Sequence, residues 1–365
     1  MFTENIINNN KSLRIIVAPL DWGLGHATRC IPIITALQKA GAQVFIAAEG
    51  ETEALLKKEF PEIIFLPLRG YKVRYSKKSL WLKWKLLAQY FTIRSAIKYE
   101  HEWLKKMVKE FQINAVISDN RFGLSHSSIP SVFITHQLNI KTGQAFTDFL
   151  ARKVNYGFIK RFNECWIPDT KEAGYGGVLS HPAKLPATAI SYMGLLSRLK
   201  VVSVENKYDF LFLISGPEPQ RTVFENKIIH IISKNKQAHK IALVRGKPLG
   251  EKELKIPNTE LFDHLSALEL NNLIAASKTV ICRSGYSSVM DLLTMGKKAI
   301  LIPTPGQKEQ EYLAEFLNGE NLFRAISQED MKDNIFEIST FDIQPVNNNI
   351  DEFIRRWLEK ISLQQ

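Results

Sequence analysis

The sequence predicts an α/β protein: two facing Rossmann-like parallel-sheet domains, a cleft between them, and a closing amphipathic helix. Three observations predict it. Short apolar, β-branched runs alternate with helix-period segments in both halves, the pattern of parallel sheets covered on both faces. The chain has 365 residues, too many for one ordinary core. The alternation is interrupted once, between Pro182 and Asn206, by a Pro- and Ala-containing stretch that reads as a domain boundary.

The first strand is "RIIVAPL", and apolar residues at helical spacing follow from His26 to Ala40. "AQVFIAAEG" and "IIFLPL" supply the next two strands, a long helical region follows, and "NAVISD" and "SVFITHQ" are two more buried strands. Past the interruption the strand-like runs are "YDFLFLISGPEPQR", "KIALVRG", "KTVICRSG" and "KAILIPTP", each followed by helical periodicity. The tail "IDEFIRRWLEKI" puts Ile350, Phe353, Ile354, Trp357, Leu358 and Ile361 on one helix face. The expected division is residues 1–195, residues 206–345, and a C-terminal helix within 346–365 that packs back on the first domain.

An apolar content of 45% with 23% charged residues describes a soluble globular protein. Cys30, Cys165 and Cys282 are scattered, show no metal spacing, and suit a reducing cytoplasm. No apolar run reaches the ~18–20 residues of a spanning helix, and the polar start "MFTENIINNNKSLR" lacks a signal-peptide pattern. The expected location is cytoplasmic, peripheral at the inner face of the cytoplasmic membrane. A formal net charge of +11 suits an anionic partner, whether substrate, membrane or nucleic acid.

Ligands of open parallel sheets bind outside the carboxyl ends of the strands. That rule selects Asp21–Arg29, Asp119–Gly123 and Thr135–Asn139. "DWGLGHATR" has the Gly23 and Gly25 of a dinucleotide fingerprint, but Thr28 stands where the third glycine belongs. Glu49 could imitate the ribose-binding acid, yet the signal for NAD stays weak. His26 falls in the first helical turn, where the helix N-terminus lowers an imidazole's pKa. A neutral imidazole there can serve as a general base; the plain alternative is a histidine that caps its own loop.

"CRSGYSSVMDLLTMGKKAILIPTPGQKEQEYLAEFL", from Cys282 to Leu317, is the second constellation. A strand ends in Arg283-Ser284-Gly285 and a helix starts at once, so backbone N–H groups with Ser287 or Ser288 could hold a diphosphate. Asp291 lies one turn on, placed to accept from two ribose hydroxyls. Gln310 and Glu311 follow the next strand, within reach of sugar hydroxyls. The alternative is an ordinary strand–loop–helix whose polar residues are caps.

The order and spacing of Arg283, Ser284, Gly285, Ser288, Asp291, Gly296, Pro303, Gln310 and Glu311 resemble the donor signature of the GT-B glycosyltransferases, most closely the MurG-type, family 28 group. The resemblance implies a GT-B fold and a UDP-sugar co-substrate with no further cofactor. It implies diphosphate binding by Ser288, ribose binding by Asp291, and sugar contacts from Gln310 and Glu311. "GLGH" resembles the group's first glycine-rich loop, giving Gly23, Gly25 and Arg29 an acceptor-side role. "SGPEPQR", with Gly216 and Arg221, stands at the second such loop, Arg245 follows the next strand, and "ELFDHL", with Phe262, resembles the segment beside the uracil. "THQLN" resembles the group's His-Glu-Gln-Asn and gives His136 an acceptor-side role. Three departures stand out: Pro-Glu-Pro-Gln where glycines are usual, Asp291 for a glutamate, and Gln-Glu for Gln-Gln.

The segment from Gly70 to Tyr99 holds eight Lys/Arg and no acid, interleaved with aromatics. Such a stretch suits an anionic membrane through Lys77, Lys78, Trp81, Lys83, Trp84 and Lys85; single-stranded nucleic acid and a solvated cover helix are the other readings, and nucleic acid is not the expected partner. The resemblance implies an inverting transferase that needs no metal, with His26, or else Asp119, deprotonating a hydroxyl of a lipid-linked or cell-envelope glycan. No Asp-x-Asp metal motif occurs. The loop Gly23, Gly25, His26, Arg29 also resembles that of PseG-type nucleotide-sugar hydrolases, in which reading His26 activates water.

Overall fold

The computed structural model describes residues 12–21, 24–71, 82–235, 237–247 and 255–363, apart from the side chains of 82–92. The first half alternates β1 (Arg14–Pro19), α1 (Leu24–Lys39), β2 (Gln43–Ala48), α2 (Gly50–Glu59), β3 (Ile64–Pro67), α3 (Leu82–Phe111), β4 (Ala115–Asp119), β5 (Ser131–Ile134), α4 (Ala145–Ile159), β6 (Glu164–Ile167) and β7 (Ala189–Tyr192). These strands form one seven-stranded sheet of order β3-β2-β1-β4-β5-β6-β7. Pairings among β1 to β5 are parallel. The central strands read as unbroken β-branched runs because both faces are covered: Ile15, Ile16, Val17, Val116 and Ile117 have no exposure.

Strand order reverses between β1 and β4, and there Pro19 lies in register with Asp119. This is the topological switch point, where two adjacent loops diverge and leave room for a ligand. The first turn of α1 and the end of β4 meet at it.

The second half runs β8 (Tyr208–Leu213), α5 (Gln220–Lys234), β9 (Ile241–Val244), β10 (Thr259–Phe262), α6 (Ala267–Ala275), β11 (Ser277–Cys282), α7 (Tyr286–Met295), β12 (Ala299–Leu301), α8 (Lys308–Gly319), β13 (Arg324–Ala325) and α9 (Ile350–Ser362). Its six-stranded parallel sheet has the order β10-β9-β8-β11-β12-β13. The switch point falls between β8 and β11, where Leu213 pairs with Cys282. One face is packed by Phe212, Phe224, Ile228 and Ile281, the other by Leu211, Val280, Val289 and Leu293.

Contacts divide the chain into one unit of Met1–Ile134, Arg161–Cys165 and Ile350–Gln365 and another of Thr135–Lys160 and Trp166–Asn349. The last helix α9 is thus part of the first unit, packed on α1. The two sheets change over after Tyr192, inside the Pro182–Asn206 stretch. That stretch is not all linker, since its Ala189–Tyr192 is the edge strand β7. A four-residue edge strand, half exposed, carries too little periodicity to stand out in sequence.

Candidate functional site

In the first unit the site forms around Asp119. Its side chain is fully buried at the end of β4, 3.0 Å through Oδ2 from His26 Nδ1. Arg29 donates from Nε to Oδ2 at 2.8 Å and from Nη2 to Oδ1, and Nη2 also lies 2.9 Å from His26 Nδ1. His26 and Arg29 are three apart on α1 and so share a helix face. Burial alone would raise the Asp119 carboxyl, but the charges and hydrogen bonds of Arg29 and His26 outweigh it and hold the group at about 2. His26 Nδ1 thus meets both a carboxylate oxygen and a guanidinium N–H; in the tautomer that directs an Nδ1–H to the ionised Asp119, Nε2 is the ring's proton acceptor. Burial, reinforced by Asp119, pushes the nearby Cys30 thiol up, so it stays protonated.

The surrounding loops are fastened by carboxylates. Tyr71 N donates to Asp21 Oδ1 at 3.2 Å, and Gly70 N to Glu49 Oε1 at 2.7 Å. A Cβ at position 70 would stand 1.9 Å from Asp21 Oδ2, so a larger residue there would displace the Asp21 carboxylate that holds Tyr71 N. Glu49 is therefore engaged in holding a loop, not a ribose. Arg121 is buried on Glu100, which also accepts from Tyr71 Oη and Gly123 N.

In the second unit the switch point presents the N-terminus of α7. Gly285 is its N-cap and supplies no side-chain cap; a Cβ there, or at Gly216 (φ +106°), would meet nothing within 4 Å. Ser287 and Ser288 stand half-buried in the first turn. Asp291, one turn on, accepts from Ser197 Oγ beside Arg198, whose buried Nε has no hydrogen-bond partner. Burial pushes the Asp291 carboxyl up to about 6, against the pull of Ser197 and Arg198. Phe262 ends β10 and packs against the core. His136, expected on the acceptor side, belongs to this second unit: its ring stacks on Tyr286 at 4.0 Å and its Nε2 lies 2.8 Å from Glu309 Oε1.

The expected donor-side residues are held as follows. Arg283 is buried; its Nη1 donates to Ile302 O and Pro303 O, its Nη2 to Gln220 O and Gln328 Oε1, and its guanidinium lies 3.8 Å over the Phe224 ring. These bonds tie the loops after β11 and β12 to the start of α5. Arg221 and Arg245 are also buried, both on Glu225, with Glu218, Asp263 and Lys247 completing the ion cluster. Buried Ser284 donates to Gln310 O at 2.9 Å. Gln310 Oε1 accepts from Thr304 N and Glu311 Oε1 from Gly306 N, so both shape the loop after β12. Ser197, Arg198, Glu309 and Tyr286 escaped sequence reasoning; the first two come from the stretch without strand–helix rhythm, where no signal marks them.

Gly23, Lys77, Lys78 and Trp81 lie outside the described residues, as do the side chains of Lys83, Trp84 and Lys85, whose backbone is in α3; Gly25 sits in the first turn of α1. Among the described residues, no group of three His, Cys, Asp or Glu is placed to hold a metal ion, and no helix is long and apolar enough to cross a membrane.

The glycotransferase of kitacinnamycin superposes over 96% of this chain and 96% of its own, with TM-score 0.64 and 12% identity. MurG of Acinetobacter baumannii does so over 95% and 99%, with TM-score 0.59 and 13% identity. Two Rossmann-like sheets matched across nearly the whole length define the class: this is a GT-B fold. Residues 211–344 match the Glycosyltransferase family 28 C-terminal domain. The UDP-N-acetylglucosamine--N-acetylmuramyl-(pentapeptide) pyrophosphoryl-undecaprenol N-acetylglucosamine transferase of Sulfurihydrogenibium sp. (strain YO3AOP1) is 25% identical over 158 residues, 40% of this chain and 43% of that protein. The aligned part is thus less than half of that relative. The similarity to family 28 thus falls on residues 211–344, the second half of a chain whose fold throughout is GT-B.

Proposed function

We propose that the protein is an inverting, metal-independent glycosyltransferase. It moves a sugar, an N-acetylhexosamine, from UDP to a hydroxyl of a lipid-linked or cell-envelope glycan at an anionic membrane surface. The observation that carries this reading is the fixed imidazole: His26 held through Nδ1 by an ionised, buried Asp119. The family 28 domain and the UDP-N-acetylglucosamine relative support the donor class, and that relative's undecaprenol-linked acceptor supports the acceptor class.

In this mechanism His26 Nε2 takes the proton of the acceptor hydroxyl as its oxygen attacks the anomeric carbon. The bond from that carbon to the diphosphate oxygen breaks, and UDP departs with the electron pair. Asp119 stabilises the imidazolium that forms, and Arg29 keeps Asp119 ionised. The departing charge falls to the backbone N–H groups of α7 with Ser287 and Ser288, in place of Arg283. Asp291 accepts from the ribose hydroxyls, Phe262 lies beside the base, and Gln310 and Glu311 set the loop bordering the sugar.

Steady-state kinetics with UDP-N-acetylglucosamine and a lipid-linked acceptor tests it. His26→Ala and Asp119→Asn should each lower kcat by about 10²–10⁴-fold, the usual span of general-base catalysis, with UDP affinity retained. Unchanged kcat in both variants would remove His26 from the chemistry. Sugar release at the same rate without acceptor would make the protein a hydrolase.

A further inference from the structure

Helix α4 (Ala145–Ile159) carries its amphipathic pattern inside out. A helix on a globular protein turns its apolar stripe inward and its polar residues out. Here the buried residues are Asn155 and Ile159, and Asn155 Nδ2 donates to Gln137 O at 2.9 Å. Phe146, Phe149, Leu150 and Val154 are instead 71%, 50%, 43% and 56% exposed. At 100° per residue these four fall within an arc of roughly 140°, so they form one face. Lys153 and Lys160 fall on that same arc, and Arg152 borders it, its guanidinium 5.8 Å from the Phe149 ring centre.

Charge decides what this face fits. From Lys141 to Arg161 the chain holds five Lys/Arg and one acid, Asp148. Asp148 lies off the apolar arc and is occupied by Thr142, whose N and Oγ1 donate to it at 2.6 and 2.7 Å. A second copy meeting this face symmetrically would set Lys153 and Lys160 against their own kind. Exposed phenylalanines among cations with no acid match the headgroup boundary of an anionic bilayer.

We propose that α4 is the surface on which the protein lies against anionic lipid, with Phe146 and Phe149 entering the headgroup layer and Arg152, Lys153 and Lys160 meeting lipid phosphates. This deepens the functional reading, because a lipid-linked acceptor is met at a bilayer, but binding itself needs neither donor nor acceptor. The three native cysteines are buried, so Phe149→Cys takes an environment-sensitive fluorophore selectively. The full chain is mixed with phosphatidylglycerol–phosphatidylcholine vesicles or phosphatidylcholine alone.

The label should shift to the blue and brighten on the anionic vesicles only. Phe146→Ser with Phe149→Ser, and Lys153→Glu with Lys160→Glu, should each cut vesicle co-sedimentation about tenfold or more. A label that stays water-like while the protein sediments with vesicles overturns the proposal and moves attachment to another surface, such as the Gly70–Tyr99 segment. A label that responds to protein concentration without lipid, alongside a doubled mass, overturns it in favour of a second copy. Calorimetric UDP binding on the same samples reads the glycosyltransferase assignment separately: its loss strikes that assignment and leaves the docking result standing.

Discussion

Asp291 and Asp119 show how differently one residue type behaves at two switch points. Asp119 is fully paired and stays ionised, whereas Asp291 has a hydroxyl and a partly engaged arginine and sits near 6. Its folded value lies above the ordinary 3.8, so its contribution to stability is fully present below pH 4 and lost as pH rises through 6. A ribose diol needs the carboxylate form, so UDP affinity should strengthen as pH rises through about 6. Asp291→Asn should flatten that rise and cost about 1–3 kcal/mol at pH 7.5 by calorimetry; parallel pH profiles for the two proteins would take Asp291 out of the site. Gly285 gives a complementary test. Because a side chain there meets nothing within 4 Å and φ is −71°, Gly285→Val should leave the melting temperature near wild type. It would fill the space before the α7 N-terminus, and UDP affinity should fall roughly tenfold or more, as a lost set of charge-assisted hydrogen bonds implies.

At the scale of elements, α6 shows a helix start fixed by neighbouring residues. "SALEL" opens α6 with a full capping box: Ser266 Oγ accepts from Glu269 N at 3.3 Å while Glu269 Oε2 accepts from Ser266 N at 2.8 Å. Ser266→Ala should cost about 1 kcal/mol in denaturant melts. α7 is the contrast, since its N-cap is Gly285 and its end is Gly296 in the left-handed region at φ +63°. Its start carries no side-chain cap. α1 was read from periodicity and begins at Leu24, which puts His26 in its first turn as expected. α4 could not be read correctly from periodicity alone. An apolar stripe in sequence says that one face is apolar, not that it faces the core.

For the whole molecule, the sheet orders supply what local pattern cannot. α9 illustrates this: Ile354, Trp357, Leu358 and Ile361 are buried on one face, the apolar face visible in the tail, while Ile350 and Phe353 are only half-buried at its edge. The helix belongs to the first unit although some 300 residues separate it from its neighbour α1, and Lys39 pairs with Asp351 at 2.8 Å. That ion pair is exposed and worth little; the apolar face carries the packing. Trp357→Ala should destabilise the protein by about 3–5 kcal/mol, seen as an earlier unfolding transition in calorimetry. An unchanged transition would mean that α9 docks without contributing to the first unit's stability.

The sequence by itself determined the α/β class, the central strands, the loops that leave their carboxyl ends, and the family-type order of Arg283, Gly285, Ser288 and Asp291. Each of these is local: strand and helix periods, glycines and caps are set by neighbours along the chain. Only the tertiary structure decided which partners the buried long-range charges take. Arg283 and Arg245 sit in donor-like positions in sequence, and carbonyls far along the chain and the buried Glu225 are their partners, whereas Arg221 pairs locally with Glu218 and Glu225, three and four residues away. Asp119 came from a separate strand to fix His26, 93 residues away, and Ser197 came from an unpatterned stretch to meet Asp291. Burying a charge demands a partner, and the partner is chosen by sheet order and register, which adjacent residues do not encode.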